Sequence, residues 1–389
     1  MKRVLKGLGI NIILLGMVSF LTDLSSEMMF AILPFFITAL GGSGVAVGLI
    51  GGVGESAASM VKLFSGYWSD KVRKRKPFAV LGYLLSSVAK LFFPFVSNWG
   101  HLLILRFMER TGKGVRTPPR DALIASSCSG EERGKAFGFH RAADTGGAIA
   151  GSLLAFLLFW FLRLDFKWIL LAGALLSFLS LIPLVHVKEN PPSGRLSQER
   201  LSLRMSIKGL PPPFRRYLIV AVIFSLANFT YMFFVLKAKA LFQPFFHGRL
   251  ATAVPLLLYC WFNLVYATFS LPGGILSDKI GRRMTLMIGY SLFSLCCMGF
   301  VLVKGLLGYI LLFAVYGLSY ALIEGNQRAY ASDFVTEELR GTALGTFHSA
   351  VGFTALLAGL LAGFLWNLNP EWPFICGAVL SLTAAIGMI

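Results

Sequence analysis

Twelve apolar stretches, each long enough to cross a membrane and separated by short polar breaks, constrain this chain more than any motif in it. With Gly, Pro and charge clusters as boundaries they fall at about 8–40, 45–68, 77–97, 100–125, 134–161, 166–187, 215–242, 251–277, 284–303, 306–331, 341–366 and 371–389. A helix rises about 1.5 Å per residue and a bilayer core is about 30 Å thick, so roughly 20 apolar residues suffice for one crossing. In lipid each segment must satisfy its own backbone, which makes every stretch an expected helix. The first apolar run follows MKRVLK and shows no small-residue cleavage pattern, so it reads as a span and not as a removable leader. The expected fold is an all-α membrane protein of twelve transmembrane helices.

Charge supports that reading. The chain has 36 Lys and Arg against 18 Asp and Glu, a net +18, and the segment GYWSDKVRKRKP at Gly66 packs five cations into six positions. In a soluble protein this would suggest nucleic-acid binding. Only 14% of the residues are charged, however, against about a quarter in soluble domains. The cations instead alternate between loops. Arg163, Lys167, Arg249 and Lys304 are thinly spread on one side, while Lys2, Arg3, Lys6, the Lys71–Lys76 cluster, Lys188 to Arg216 and Lys279 to Arg283 crowd the other. The crowded side is expected to be cytoplasmic, with both termini on it. Trp99, Trp160, Trp168, Trp366 and Trp372 then fall at the opposite interface, where amphipathic rings prefer to lie. No nucleic-acid partner is expected. The five cysteines, at 128, 260, 296, 297 and 376, have no metal-ligand spacing and read as small apolar residues, so neither a metal nor a disulfide framework is expected.

The one long polar segment, Lys188 to Pro213, divides the spans six and six. The expected organisation is an N-terminal six-helix bundle over 1–187, a cytoplasmic linker over 188–214 and a C-terminal six-helix bundle over 215–389. The halves also repeat: GYWSDKVRKR at Gly66 returns as GILSDKIGRR at Gly274, and EERGKAFGFH at Glu131 returns as ELRGTALGTFH at Glu338, separated by 208 and 207 residues. Two motifs with one offset indicate internal duplication, the mark of transporter folds built from repeats.

These motifs resemble those of the major facilitator superfamily. Its signature loop, G-x-x-x-D-[RK]-x-G-[RK]-[RK], is matched in full by Gly274, Asp278, Lys279, Gly281, Arg282 and Arg283. The first copy matches at Gly66, Asp70, Lys71, Lys74 and Arg75, with Arg73 in the place of glycine. Span four is similar to the family's R-F-x-x-G through Arg106 and Phe107, with Arg110 at the final glycine. Span five keeps Gly147 and Gly151 of the exporter branch's Gly-Pro signature but has Ser152 at the proline. The resemblance implies two pseudo-symmetric six-helix bundles that rock around a central site, with the duplicated loops as gating elements.

Charges inside spans mark partners or wet cavities, since a lone one costs about 2.5–3.5 kcal/mol at a helix centre. Asp23 and Glu27 stand one turn apart on the same face of span one, and with Asp144 in span five they are the expected proton-coupling residues. The alternative is a permanent pair between Asp23 and a cation such as Arg106. Span four carries Arg106, Glu109, Arg110, Lys113, Arg116 and Arg120. Arg106 and Arg110 are expected at the substrate cavity, whereas Arg116, Arg120 and Asp121 are expected in structural ion pairs, as are Glu324 and Arg328 four residues apart. Glu109 is placed to pair with Lys113, and Pro118 and Pro119 to bend or end the helix. Asn228, Trp261 and Asn263 are further cavity candidates by depth.

The sequence lacks HExxH, GxSxG and GxxxxGK[ST] patterns, so an enzyme or ATP-driven pump is not expected. The expected function is secondary transport of a small organic solute by alternating access, as proton-coupled export, or else uptake or exchange of an anionic metabolite. The expected partners are the solute, protons and the lipid bilayer, with no cofactor, in a monomer that spans the cell membrane.

Overall fold

Helices stand at every span the sequence suggests. The computed structural model describes residues 9–72, 74–128, 132–189, 210–336 and 339–389. Among them are fourteen α-helices: α1 Ile10–Ala39, α2 Gly44–Val72, α3 Lys76–Phe92, α4 Trp99–Ser126, α5 Arg133–Trp160, α6 Phe166–Leu179, α7 Leu181–His186, α8 Pro212–Ala227, α9 Met232–Phe242, α10 Leu250–Ile280, α11 Arg282–Leu302, α12 Leu306–Asp333, α13 Arg340–Leu368 and α14 Trp372–Gly387. The pairs α6–α7 and α8–α9 each make one span with a break. Ten of the twelve spans are long and apolar enough to cross a membrane by composition alone. The other two are α14, which is short, and α4, whose charges set it apart. Large apolar side chains such as Leu271, Leu311, Phe364 and Val379 stand exposed along the helices, as lipid-facing surfaces require.

Helix α4 runs through Pro118 and Pro119 to Ser126, contrary to one of the two expected outcomes. Pro119 cannot donate to the carbonyl four residues earlier, Val115. Ser65 on α2 takes that place, its hydroxyl donating to the Val115 oxygen at 2.5 Å. A neighbouring helix thus satisfies the carbonyl that proline leaves bare, which is how lipid-embedded helices tolerate proline.

Packing groups the described residues of Met1–Phe30, Ala57–Ser97 and His101–Leu203 into one unit, and those of Ala31–Ser56, Asn98–Gly100 and Arg204–Ile389 into a second. In the first unit, Ile12, Leu15 and Val18 pack with Ala79, Tyr83, Leu123, Ile124 and Leu184. The second unit is held by stacked rings, including Phe224 on Tyr290 and Phe234 on Tyr316, both with centroids 4.2 Å apart. It also contains the stretch around the α1–α2 turn. There Gly48 of α2 meets Gly359 of α13 so closely that a Cβ on Gly48 would overlap the Gly359 carbonyl, and Gly44 lies against Gly363. The Asn367 side chain accepts a hydrogen bond from the Gly44 N–H at 2.8 Å, adding a polar clasp to that seam.

Candidate functional site

The signature loop of the second half has a direct backbone reason for its glycine. Gly281 separates α10 from α11 at φ +90°, a conformation that L side chains rarely adopt. Its cations are anchored: Arg282 pairs with Asp333 at 3.0 Å, and Arg283 Nε donates to the Met388 carbonyl. Asp278, Gly281, Arg282, Arg283, Tyr330 and Asp333 line a recess of about 630 Å³. Lys279 ends α10, and Gly274 has no neighbouring atom of the described residues where a Cβ would stand. In the first copy Gly66 lies against Pro118, Lys71 sits over the Tyr67 ring, and the backbone N–H of Arg75 donates to Glu189 Oε1 at 2.5 Å. Arg73 and the Asp70 side chain lie outside the described residues.

The deeper site is in the first unit. Gly147 and Gly151 of α5 lie against the backbone of α1, where a Cβ would overlap the Phe20 and Leu24 carbonyls. That close approach brings Asp144 of α5 to Asp23 of α1, with the two carboxyl groups within hydrogen-bonding reach of each other. Two carboxylates this close repel each other when both are ionised, and one proton shared between them removes that repulsion. Ser19 Oγ donates to Asp144 Oδ1 at 2.6 Å, and Arg141 Nη1 pairs with Asp144 Oδ2 at 3.3 Å. Glu27 follows one turn along α1 and contributes a further negative charge toward Asp23. Asp23 and Asp144 are therefore brought together by two glycines, while His140, next to them on α5, is buried with its Nε2 unbonded among the described residues.

Along α4, Arg106 is buried and pairs with Glu109 at 2.8 Å, so Glu109 looks back one turn and not forward to Lys113. The guanidinium groups of Arg106 and Arg110 both lie over the Phe30 ring, 4.2 and 5.9 Å from its centroid. Among the described residues Arg116 takes no carboxylate: it donates to Ser86 Oγ at 2.8 Å and stacks on Tyr83 at 4.5 Å. Arg120 pairs with its neighbour Asp121 at 2.8 Å, and Arg328 with Glu324 at 3.6 Å.

The second unit separates its candidates. Asn228 stands at the α8–α9 break and accepts a hydrogen bond from the Tyr320 hydroxyl at 2.6 Å, and the Tyr266 hydroxyl donates to Glu324. Asn263 is buried in α10, its Nδ2 unbonded among the described residues. Trp261, on the same helix, is 38% exposed and donates from its indole to the Ile310 carbonyl at 3.0 Å.

One charged residue in the site escaped the reading of the sequence. Lys90 of α3 is fully buried, and its Nζ donates to Ser25 Oγ at 3.1 Å and Ser26 Oγ at 2.8 Å on α1. A lone lysine mid-span was the available signal; as the only charge in its span, it had no intrahelical partner to draw notice.

Residues 15–261 and 250–389 match the sequence profile of the Major Facilitator Superfamily. The chain is 46% identical over 376 residues to an uncharacterized MFS-type transporter of Methanocaldococcus jannaschii, covering 97% of this chain and 93% of that one. It is 23% identical over 357 residues to the multidrug resistance protein MdtH of Escherichia coli, covering 89% and 85%. Among solved structures, the nucleoside transporter NupG matches with a TM-score of 0.80 at 16% identity, over 97% of this chain and 98% of that one. Profile, relatives, helix count and signature loop agree: this chain belongs to the Major Facilitator Superfamily and is a secondary transporter.

Proposed function

We propose that this transporter exports a small organic solute in exchange for protons, with the Asp23–Asp144 pair as the site where the proton is taken up and released. The observation that carries this reading is the close approach of α1 and α5 at Gly147 and Gly151, which puts the two carboxyl groups within hydrogen-bonding reach. A pair that shares a proton can lose it only when water reaches the pair from one side, and alternating access supplies such an opening in turn to each face of the membrane. Proton and solute must each bind the two access states unequally for one gradient to drive the other. Glu27, one turn along the same helix, is the next carrier on the route. The relative MdtH, a multidrug resistance protein by name, supports export of an organic solute. Gly66, Asp70 and the Gly274–Arg283 loop are assigned to gating, and Asn228, Asn263 and Trp261 to the solute cavity.

A second reading, uptake or exchange of an anionic solute, is favoured by one observation: Arg106 and Arg110 are both buried on the Phe30 ring, with guanidinium geometry suited to a carboxylate. The nucleoside transporter NupG, by name, moves an organic solute without a carboxylate, so it does not favour this second reading.

Proteoliposomes with an internal pH dye and an imposed pH gradient test the proposal. Organic cations, neutral drug-like solutes, nucleosides and dicarboxylates are added in turn. The expected outcome is proton movement triggered by an organic cation or neutral solute, lost in Asp23→Asn while counterflow exchange of labelled solute continues. Solute movement indifferent to the pH gradient would overturn proton coupling, and a response to dicarboxylates alone would favour the second reading.

A further inference from the structure

Buried lysines in a membrane interior need a reason, since an ammonium in an apolar setting is costly unless partnered. Most cations around the carboxyl pair have partners that account for them. Arg106 pairs with Glu109, Arg120 with Asp121 and Arg141 with Asp144, while Arg116 rests on Ser86 and the Tyr83 ring. Lys90 is different. It is fully buried, and its ammonium has two neutral serine hydroxyls and, among the described residues, no carboxylate within ion-pair distance.

The serines say what the charge serves. In a helix, positions three and four apart share a face, so Ser26 lies on the same face of α1 as Asp23, three residues before it, and beside Glu27. Ser26 is one turn along the axis from Asp23, about 4.5 Å at 1.5 Å per residue. Lys90 Nζ, 2.8 Å from the Ser26 hydroxyl, therefore reaches the carboxylate face of α1 without binding a carboxylate. The charged groups around Lys90 are Arg106, Glu109 and Arg116 from α4 and Asp23 from α1. Those around the pair are Glu27 on α1, Lys113 and Arg116 on α4 toward Asp23, Arg120 on α4 toward Asp144, and His140 and Arg141 beside Asp144 on α5. From α3, Tyr83 adds a phenol, and α6 brings only the Gly173 carbonyl and the Ser177 hydroxyl, both uncharged.

We propose that Lys90 is a second counter-charge of the Asp23–Asp144 pair, beside Arg141, and a positioning residue that helps set the pH at which the pair releases its shared proton, with Ser25 and Ser26 holding the ammonium off the carboxylates while that proton is bound. This rests on the proton-site reading above. When the pair loses its proton, the ammonium, held on the same face of α1, stabilises the new negative charge through the low-dielectric interior.

The probe is the C=O stretching band of protonated carboxyl groups, followed by infrared difference spectroscopy through a pH titration of the purified full chain in liposomes, with no solute needed. The proton-site reading requires that Asp23→Asn remove the titrating band; a band unchanged in that variant overturns that reading. Lys90→Met should move the midpoint up by about one pH unit, because losing a nearby positive charge favours the protonated pair, while Lys90→Arg should stay near the parent value. If Lys90→Met does not fold, Ser25→Ala with Ser26→Ala frees the ammonium toward the carboxylates and should move the midpoint down. A band that Asp23→Asn abolishes but whose midpoint none of the Lys90 or serine variants moves would overturn the role of Lys90 and leave the proton site intact.

Discussion

Glu109 shows how much a single side chain can commit the interior. It is buried among Arg106, Arg110, Lys90 and Arg116, and its ion pair is with Arg106 at 2.8 Å. Removing one member of a buried pair strands the other, which typically costs about 3–5 kcal/mol, whereas replacing both can be nearly neutral. Arg106→Leu is therefore expected to lower stability by about 3–5 kcal/mol in detergent unfolding, and Arg106→Leu with Glu109→Leu to recover much of it. A double variant no more stable than the single one would mean that Arg106 is held by something other than this pair. At this scale the sequence marks Asp23 and Arg106 as charges that need company, because charge within a span is visible in one dimension. It names Asp144 as a further coupling residue but cannot place it against Asp23, 121 positions away, because helical spacing relates residues only to neighbours three and four away on their own helix. For the same reason helical spacing assigns Glu109 to Lys113, whereas packing pairs it with Arg106.

Among helices, the decisive feature is how closely two backbones approach. The α2–α13 seam leaves no room for a Cβ at Gly48, whereas at Gly274 no described atom stands nearby. Alanine at a helix-interior glycine gains up to about 1 kcal/mol from backbone entropy, and overpacking costs about 1–3 kcal/mol. Gly48→Ala should thus lower the thermal midpoint and Gly274→Ala hold or raise it; equal effects at both sites would show that the seam yields without cost. Span positions were legible to within a few residues, since the apolar period and the polar breaks are written along the chain. The course of α4 through two prolines was not, because it depends on Ser65 from α2 reaching the Val115 carbonyl.

For the whole molecule, loop charge argues that the Lys71–Lys76 cluster faces the cytoplasm and that the α3–α4 turn lies outside. In a background with Cys128 and Cys376 changed to Ser, Ser97→Cys should react with a membrane-impermeant maleimide added to intact cells and Lys74→Cys should not; the reverse pattern would invert the orientation. The sequence by itself determined that the chain is a twelve-span, duplicated transporter, because span length, hydropathy, loop charge and a repeated loop motif are properties of consecutive residues. It also supplied Gly281, whose φ of +90° is a local demand on one backbone position. Only the tertiary structure decided that Asp23 lies against Asp144 and that Lys90 rests on Ser25 and Ser26. The physical reason is that a buried charge is satisfied across helix interfaces, and those interfaces are set by which glycines let two backbones touch.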